Sequence, residues 1–186
     1  MLCSCKKIHT RQGAEGPITK ASQAKRCDPT NPACTRAAAV LVRRARETDL
    51  PALAALYHEL DLQGFTHEAS ARAMRKPFRL LARDRNHHLL IAEHRGEAVG
   101  TLHVLIFRHL GHGSRPAAIV ENVVVRSGFR SQGVGEQLLD AACQIATAER
   151  CYKIALTSNR QRRRAHRFYK RLGWRRTHFG YSIYFD

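Results

Sequence analysis

No stretch of the 186-residue chain comes near the roughly 18 consecutive apolar residues that a membrane-spanning helix requires, so a membrane span is excluded. Met1–Lys7 also lack the apolar centre of a secretory leader. Acidic residues are scarce, 15 against 32 Lys and Arg, which leaves a formal net charge of +17. No disulfide framework can be traced through the six cysteines. Cys3, Cys5, Cys27 and Cys34 crowd a polar N-terminal stretch, while Cys143 and Cys151 fall far downstream. A small secreted scaffold would spread its cysteines as staples, so a reducing, cytoplasmic setting is expected. The spacing of the first four cysteines matches no common zinc knuckle, and the eleven histidines form no compact metal signature, so no metal is expected. What is present is ample apolar material, 44% of the residues, in a length that suits one domain with a tail.

The charge is spread over both parts of the chain. Residues 1–40 carry a net +5 and residues 41–186 a net +12. The periodic part is therefore basic in its own right, which points to an anionic partner: a phosphate-bearing cofactor, a phosphate-like substrate or nucleic acid. Residues 1–38 are rich in Lys, Thr, Ser, Gly and Pro and show no sustained apolar period. They read as a disordered basic extension with too little apolar surface to offset the entropy of ordering. Residues 39–186 read as the folded domain.

Within that domain the pattern predicts a strand over 39–44, then a helix opened by Thr48-Asp49-Leu50-Pro51, with Pro in the first turn where no amide donor is needed. A second helix covers 68–82. Strands over 88–93 and 98–106 flank Arg95-Gly96-Glu97 as an antiparallel hairpin. Residues 111–116 form a loop, and 119–125 form a nearly all-apolar strand of the kind buried at a sheet centre. A helix over 133–150 carries an apolar stripe of Val134, Leu138, Ala142 and Ile145. A strand over 152–157, a short basic helix ending at Gly173 and a closing strand over 178–185 complete the chain. The fold class is α/β: a central mixed sheet with helices on both faces.

The richest chemistry lies where Val123-Val124-Val125 runs into Arg130-Ser131-Gln132-Gly133-Val134-Gly135 and a helix begins. Glycines let the backbone approach a ligand, and the helix N-terminus adds amide donors and positive potential, which suits a pyrophosphate. The spacing is neither that of the P-loop nor that of the dinucleotide fingerprint. Glu121 is a carboxylate in an otherwise apolar strand, which is costly unless it is paired or faces a cleft. Strict alternation puts it on one face with Ile119, Val123 and Val125. It is either a general base or one half of a structural ion pair with an arginine.

These segments resemble the GNAT superfamily of acetyl-CoA-dependent N-acyltransferases over about residues 39–186. The resemblance rests on Val42-Arg43-Arg44-Ala45 with Asp49-Leu50-Pro51, on the strand and glycine loop, and on Ala165-His166-Arg167-Phe168-Tyr169-Lys170-Arg171-Leu172-Gly173-Trp174. Within the superfamily the chain looks closest to aminoalkylphosphonate N-acetyltransferases through Thr157-Ser158-Asn159 and Thr177-His178-Phe179, and is next similar to glucosamine-phosphate N-acetyltransferases through Val120-Glu121-Asn122 and Cys151-Tyr152-Lys153-Ile154. The resemblance implies a GNAT fold and acetyl transfer from acetyl-CoA to a primary amine by direct attack. Val123, Val124 and Val125 would meet the pantetheine arm. Arg130, Ser131, Gln132, Gly133, Val134 and Gly135 would hold the pyrophosphate, and Asn159 would meet the arm from the far side. Tyr169 would sit near the thioester sulfur, although its place on a stripe with Ala165 and Leu172 also fits core packing. The implied partners are acetyl-CoA and a small, anionic amine, with homodimerisation left open. Arg108, His109, His112 and Arg115, with His178, are expected near the acceptor. Protein or polyamine acetylation is the alternative within the family. A basic nucleic-acid-binding module is the alternative outside it, weakened by the lack of a recognisable nucleic-acid motif.

Overall fold

The computed structural model describes residues 40–60, 70–183 and 185. The expected extension over 1–38, with its four cysteines, lies outside them. The described chain runs β1 (Leu41–Arg44), α1 (Leu50–Leu60), α2 (Ala71–Arg83), β2 (His87–His94), β3 (Glu97–Phe107), β4 (Ala117–Val125), α3 (Val134–Ala148), β5 (Ile154–Leu156) and α4 (Arg163–Arg171). The strands form one sheet in the order β1-β2-β3-β4-β5. The first three pairings are antiparallel, and β4 with β5 is parallel. Parallel neighbours need a crossover, and α3 supplies it.

Helices cover both faces, as the pattern predicted. On one face α3 buries Val134, Leu138, Leu139, Ala142 and Ala146 against Leu90, Leu102, Val104 and Val120. On the other, Leu50 and Leu53 of α1 pack on Ile91 and Ala98, with Met74 and Phe78 of α2 beside them. Each fully buried Leu contributes about 1.5–3 kcal/mol. None of the described helices is long and apolar enough to cross a membrane.

The entry to α1 differs in detail from the expected cap. Residues Glu47–Asp49 make a 3-10 turn, and the Asp49 carboxylate accepts from the Arg46 amide at 2.7 Å instead of from the helix's first turn. The same carboxylate takes a bidentate guanidinium from Arg43, at 2.7 and 2.9 Å, while Arg43 Nε donates to Glu93 at 2.7 Å. Arg43 holds the Asp49 carboxyl below the usual carboxylate range. This half-buried network pins β1, β2 and the start of α1 together.

Two sequence expectations fail for reasons of pairing. The closing strand over 178–185 does not form among the described residues. Its alternation is real, but Phe179, Tyr181, Ile183 and Phe185 are 82%, 93%, 81% and 90% exposed. Alternation makes a strand only when a neighbour supplies the ladder, and here none does. The alternation of β4 also breaks. His103 pairs with Glu121 but Thr101 pairs with Val124, so one extra residue is inserted. Asn122, at φ +54°, takes up the bulge. Glu121 and Val124 therefore share the α1 face, while Val123 and Val125 pack toward the α3 core. Glu121 thus parts company with two of the three residues that strict alternation gave it.

Candidate active site

Strand β4 is paired with β5 only at Ala118, Ile119 and Val120. Beyond them, residues Glu121–Val125 pair with no strand on that side among the described residues, which leaves this edge of β4 open as the candidate cleft, facing the segment that leads from β5 to α4. The bulge at Asn122 sits at the point of divergence. A bulged, half-paired strand presents free backbone donors and acceptors, the arrangement to which an extended arm adds like a strand.

The glycine loop lies at the C-terminal end of β4. Gly133 precedes α3 with φ +83°, and no side chain caps the helix. The first intrahelical bond runs from Gln137 N to Gly133 O, so the amides of Val134, Gly135 and Glu136 have no helical acceptor. Ser131 also has positive φ, at +64°. Left-handed residues placed just before a helix turn successive N–H groups into one concavity, an anion nest. The loop is braced by side chains. Arg130 Nε donates to Val125 O at 2.8 Å, and its NH2 reaches Glu59 of α1 at 3.2 Å. Glu59 accepts from Ser127 N at 2.8 Å, and Gln132 donates to Gly128 O at 2.8 Å. The Arg130 and Gln132 side chains are therefore committed to holding the loop's shape. Gly135 has a second reason to be glycine, because a Cβ there would stand 3.1 Å from Phe168 of α4. Phe168 thereby holds α4, with Tyr169 next along it, close against the start of α3.

Tyr169 is half-buried, its ring 5.4 Å from that of Phe168 and 6.2 Å from that of Trp174. Burial pushes its hydroxyl pKa up, and the negative charge of Glu121 adds to the rise while Arg162 opposes it. That influence shows that the two sequence-predicted residues lie near one another. Glu121 is open to solvent on one side, yet partial desolvation raises its carboxyl above the usual range. It makes no ion pair with any described arginine. Asn159 Oδ1 accepts from Gln161 N at 2.9 Å, so its side chain opens the turn into α4.

Two further residues were given no role by the sequence pattern. Ser158 Oγ, in the segment between β5 and α4, is buried with no hydrogen-bond partner among the described residues. Tyr57 of α1 is tied to the Asn122 side chain at the bulge, and burial pushes its hydroxyl pKa up. Both depend on long-range packing that no local pattern reveals.

The expected acceptor cluster of Arg108, His109, His112 and Arg115 gathers at the opposite end of β4 from the glycine loop. It lies before β4 begins, about 25–30 Å along the nine-residue strand from the glycine loop. Arg115 donates to Arg150 O and Cys151 O, and Arg108 pairs with Glu149. His112 stacks on Tyr152 at 4.0 Å, with His109 edge-on to both. The cluster fastens the end of α3 and the entry to β5. His178 falls in the unpaired C-terminal segment and contacts its neighbour Thr177 at 2.7 Å. Burial pushes the Cys143 thiol up, which suits packing and not nucleophilic attack.

A sheet whose central pairing ends at a bulge, beside an uncapped helix N-terminus, offers an open strand edge and an anion-binding helix end side by side. The signature of the acetyltransferase (GNAT) family matches residues 51–174, and the chain belongs to that family. It is 33% identical over 141 residues to the aminoalkylphosphonate N-acetyltransferase of Salmonella typhimurium, covering 76% of this chain and 88% of that protein. It is 32% identical over 80 residues to the glucosamine 6-phosphate N-acetyltransferase of Trypanosoma brucei brucei, covering 43% of this chain and 52% of that one. Among solved structures, a transcriptional regulator from Bacillus halodurans superposes with a TM-score of 0.73 at 30% identity, over 79% of this chain and 100% of that one. The chain is thus an N-acetyltransferase of a family that uses acetyl-CoA. The open edge of β4, the free first-turn amides of α3 and the orphaned Ser158 hydroxyl fit that donor's arm and pyrophosphate.

Proposed function

We propose that the chain acetylates the primary amine of a small molecule carrying a phosphonate or phosphate group, by direct attack within the β4 cleft. The observation that carries the substrate class is the 33% identity to an aminoalkylphosphonate N-acetyltransferase over most of both chains. The second relative, which acts on an amino-sugar phosphate, has an acceptor of the same chemistry: an amine and a phosphorus oxyanion in one small molecule. The net +12 of residues 41–186 suits such an acceptor and disfavours lysine-rich tails through like-charge repulsion. A cytoplasmic location, where acetyl-CoA is supplied, belongs to the same reading.

In this reading acetyl-CoA supplies the acyl group. Amides from Arg130 to Gly135 hold its pyrophosphate, the free edge at Val123, Val124 and Val125 aligns its arm, and Asn159 and Ser158 close the other wall. Glu121 takes a proton from the acceptor ammonium, which frees the lone pair for attack. Its raised pKa brings it nearer to that of the amine and so suits it to the task. Tyr169 stays protonated at neutral pH, because burial raises its pKa, and it can give a proton to the departing sulfur. Tyr169→Phe should therefore lower kcat about tenfold or more while leaving the acetyl-CoA Kd unchanged, since the hydroxyl acts only as the bond breaks. An altered Kd with native kcat would assign Tyr169 to packing.

The substrate class is tested by comparing kcat/KM for 2-aminoethylphosphonate, glucosamine 6-phosphate, spermidine and a histone-tail peptide. One of the two phosphorus-bearing amines should lead. A tenfold or greater lead for spermidine or the peptide would overturn the anionic acceptor and favour polyamine or protein acetylation.

A further inference from the structure

Glu121 faces a histidine across the sheet. In the β3–β4 ladder its direct partner is His103, and opposite residues of an antiparallel pair have Cβ atoms about 4.5–5.5 Å apart. The structure shows no direct hydrogen bond between the two side chains, and that spacing leaves room for one water to bridge the carboxyl and the imidazole. His103 in turn meets a second histidine. Its Nε2 lies 2.9 Å from His87 Nδ1 of β2, and the two rings stack with centroids 5.0 Å apart. His87 Nε2 lies 3.8 Å from the Asp84 carboxylate, in the turn before β2, where solvent has access. Glu121, His103, His87 and Asp84 thus form a row across β4, β3 and β2 on the α1 face, running from the cleft to the surface.

We propose that His103 and His87 carry to solvent, beside Asp84, the proton that Glu121 takes from the acceptor. The proposal rests on Glu121 being the base. Glu121 is open to water in the free protein, but donor and acceptor must lie over it during reaction, and a proton held on it then needs a lateral way out. The ammonium N–H bond breaks and a Glu121 O–H bond forms. That proton passes to His103 Nδ1 as the proton on His103 Nε2 passes to His87 Nδ1. His87 Nε2 then releases its own proton to water at Asp84. One proton enters and one leaves, and each ring returns to its first tautomer by exchanging its proton with water before the next turnover.

The electrostatics support the geometry. Glutamate and histidine titrate about two pH units apart in water. Here desolvation raises Glu121, while desolvation and the charges of His87 and His88 lower His103. Both shifts bring the two proton affinities nearer to one another. The charged groups bearing on His103 are His87 and His88 from β2, while Glu121 stands opposite it in the β4 ladder. His88 lies on the opposite face, bonded to Arg44 at 2.7 Å, and acts only through its charge.

The test uses the full chain with 2-aminoethylphosphonate, or whichever acceptor the panel favours, and compares His103→Asn, His87→Asn and Glu121→Gln. Both histidine variants should lower kcat about tenfold, leave the KM for acetyl-CoA unchanged and recover when imidazole is added to the buffer. Glu121→Gln should be slower still and not recover, and adding His103→Asn to it should cost nothing more. His87 lies near the surface, so its variant serves if His103→Asn does not fold. Native kcat in the histidine variants beside a slow Glu121→Gln overturns the relay and leaves the base standing. A loss that imidazole does not restore assigns the pair to structure and also overturns the relay. A native Glu121→Gln overturns the base, and the relay with it.

Discussion

Glu121→Gln should lower kcat about 100-fold and abolish the acid limb of the kcat/KM profile. The sign follows from the site. A carboxyl acts as a base only when ionised, and desolvation places the Glu121 pKa above the ordinary carboxylate value. Native kcat/KM should therefore rise as pH climbs through that raised pKa and stand at its full value above it. Glutamine keeps the size and the hydrogen-bonding oxygen but has no ionisation in this range, so the limb should vanish together with most of the rate. The fold should survive, because Glu121 is exposed and makes no ion pair among the described residues. A native pH profile in a folded Glu121→Gln variant would assign the proton to solvent or to another group.

Much of this cleft was legible in the sequence because it is built from contiguous chemistry. The apolar run 119–125, the glycine loop and α3 follow one another, and β4, the loop and α3 were all found within a few residues of their observed ends. Local pattern could not show where pairing stops. Nothing in Val120-Glu121-Asn122-Val123 announces a bulge, because the extra residue is defined against Thr101 and His103 twenty positions earlier. For the same reason His103 and His87 looked like unremarkable members of two strands, although register brings them into a row with Glu121. Arg108, His109, His112 and Arg115 precede β4 closely, but a strand carries its two ends far apart, and these residues belong to the end away from the glycine loop. The 178–185 segment shows the limit of period-2 reasoning: its apolar side chains alternate, and no ladder receives them.

Gly133→Val should remove most acetyl-CoA affinity, by 100-fold or more, while the domain stays folded. Gly133 stands at φ +83°, a region that costs an L residue about 1–2 kcal/mol and a β-branched one more. Nothing lies within 4 Å of the position a Cβ would take, so the substitution meets no wall of the protein and the strain stays local. The chain can relieve it only by turning the loop out of its left-handed geometry, which disperses the amides of Val134, Gly135 and Glu136 that converge at the uncapped end of α3. If the loop holds instead, two methyl groups occupy the open space before the helix, where the pyrophosphate would lie. Either route removes the anion site, and a 100-fold loss corresponds to about 2.8 kcal/mol. Gly133→Ala, with the same backbone strain and a smaller side chain, should lose less. Calorimetric titration with acetyl-CoA reads both variants, and a melting curve within a few degrees of the parent shows that the fold is intact. Unchanged affinity in a folded Gly133→Val protein would mean that the pyrophosphate lies elsewhere, and that the amides at the head of α3 are not its cradle.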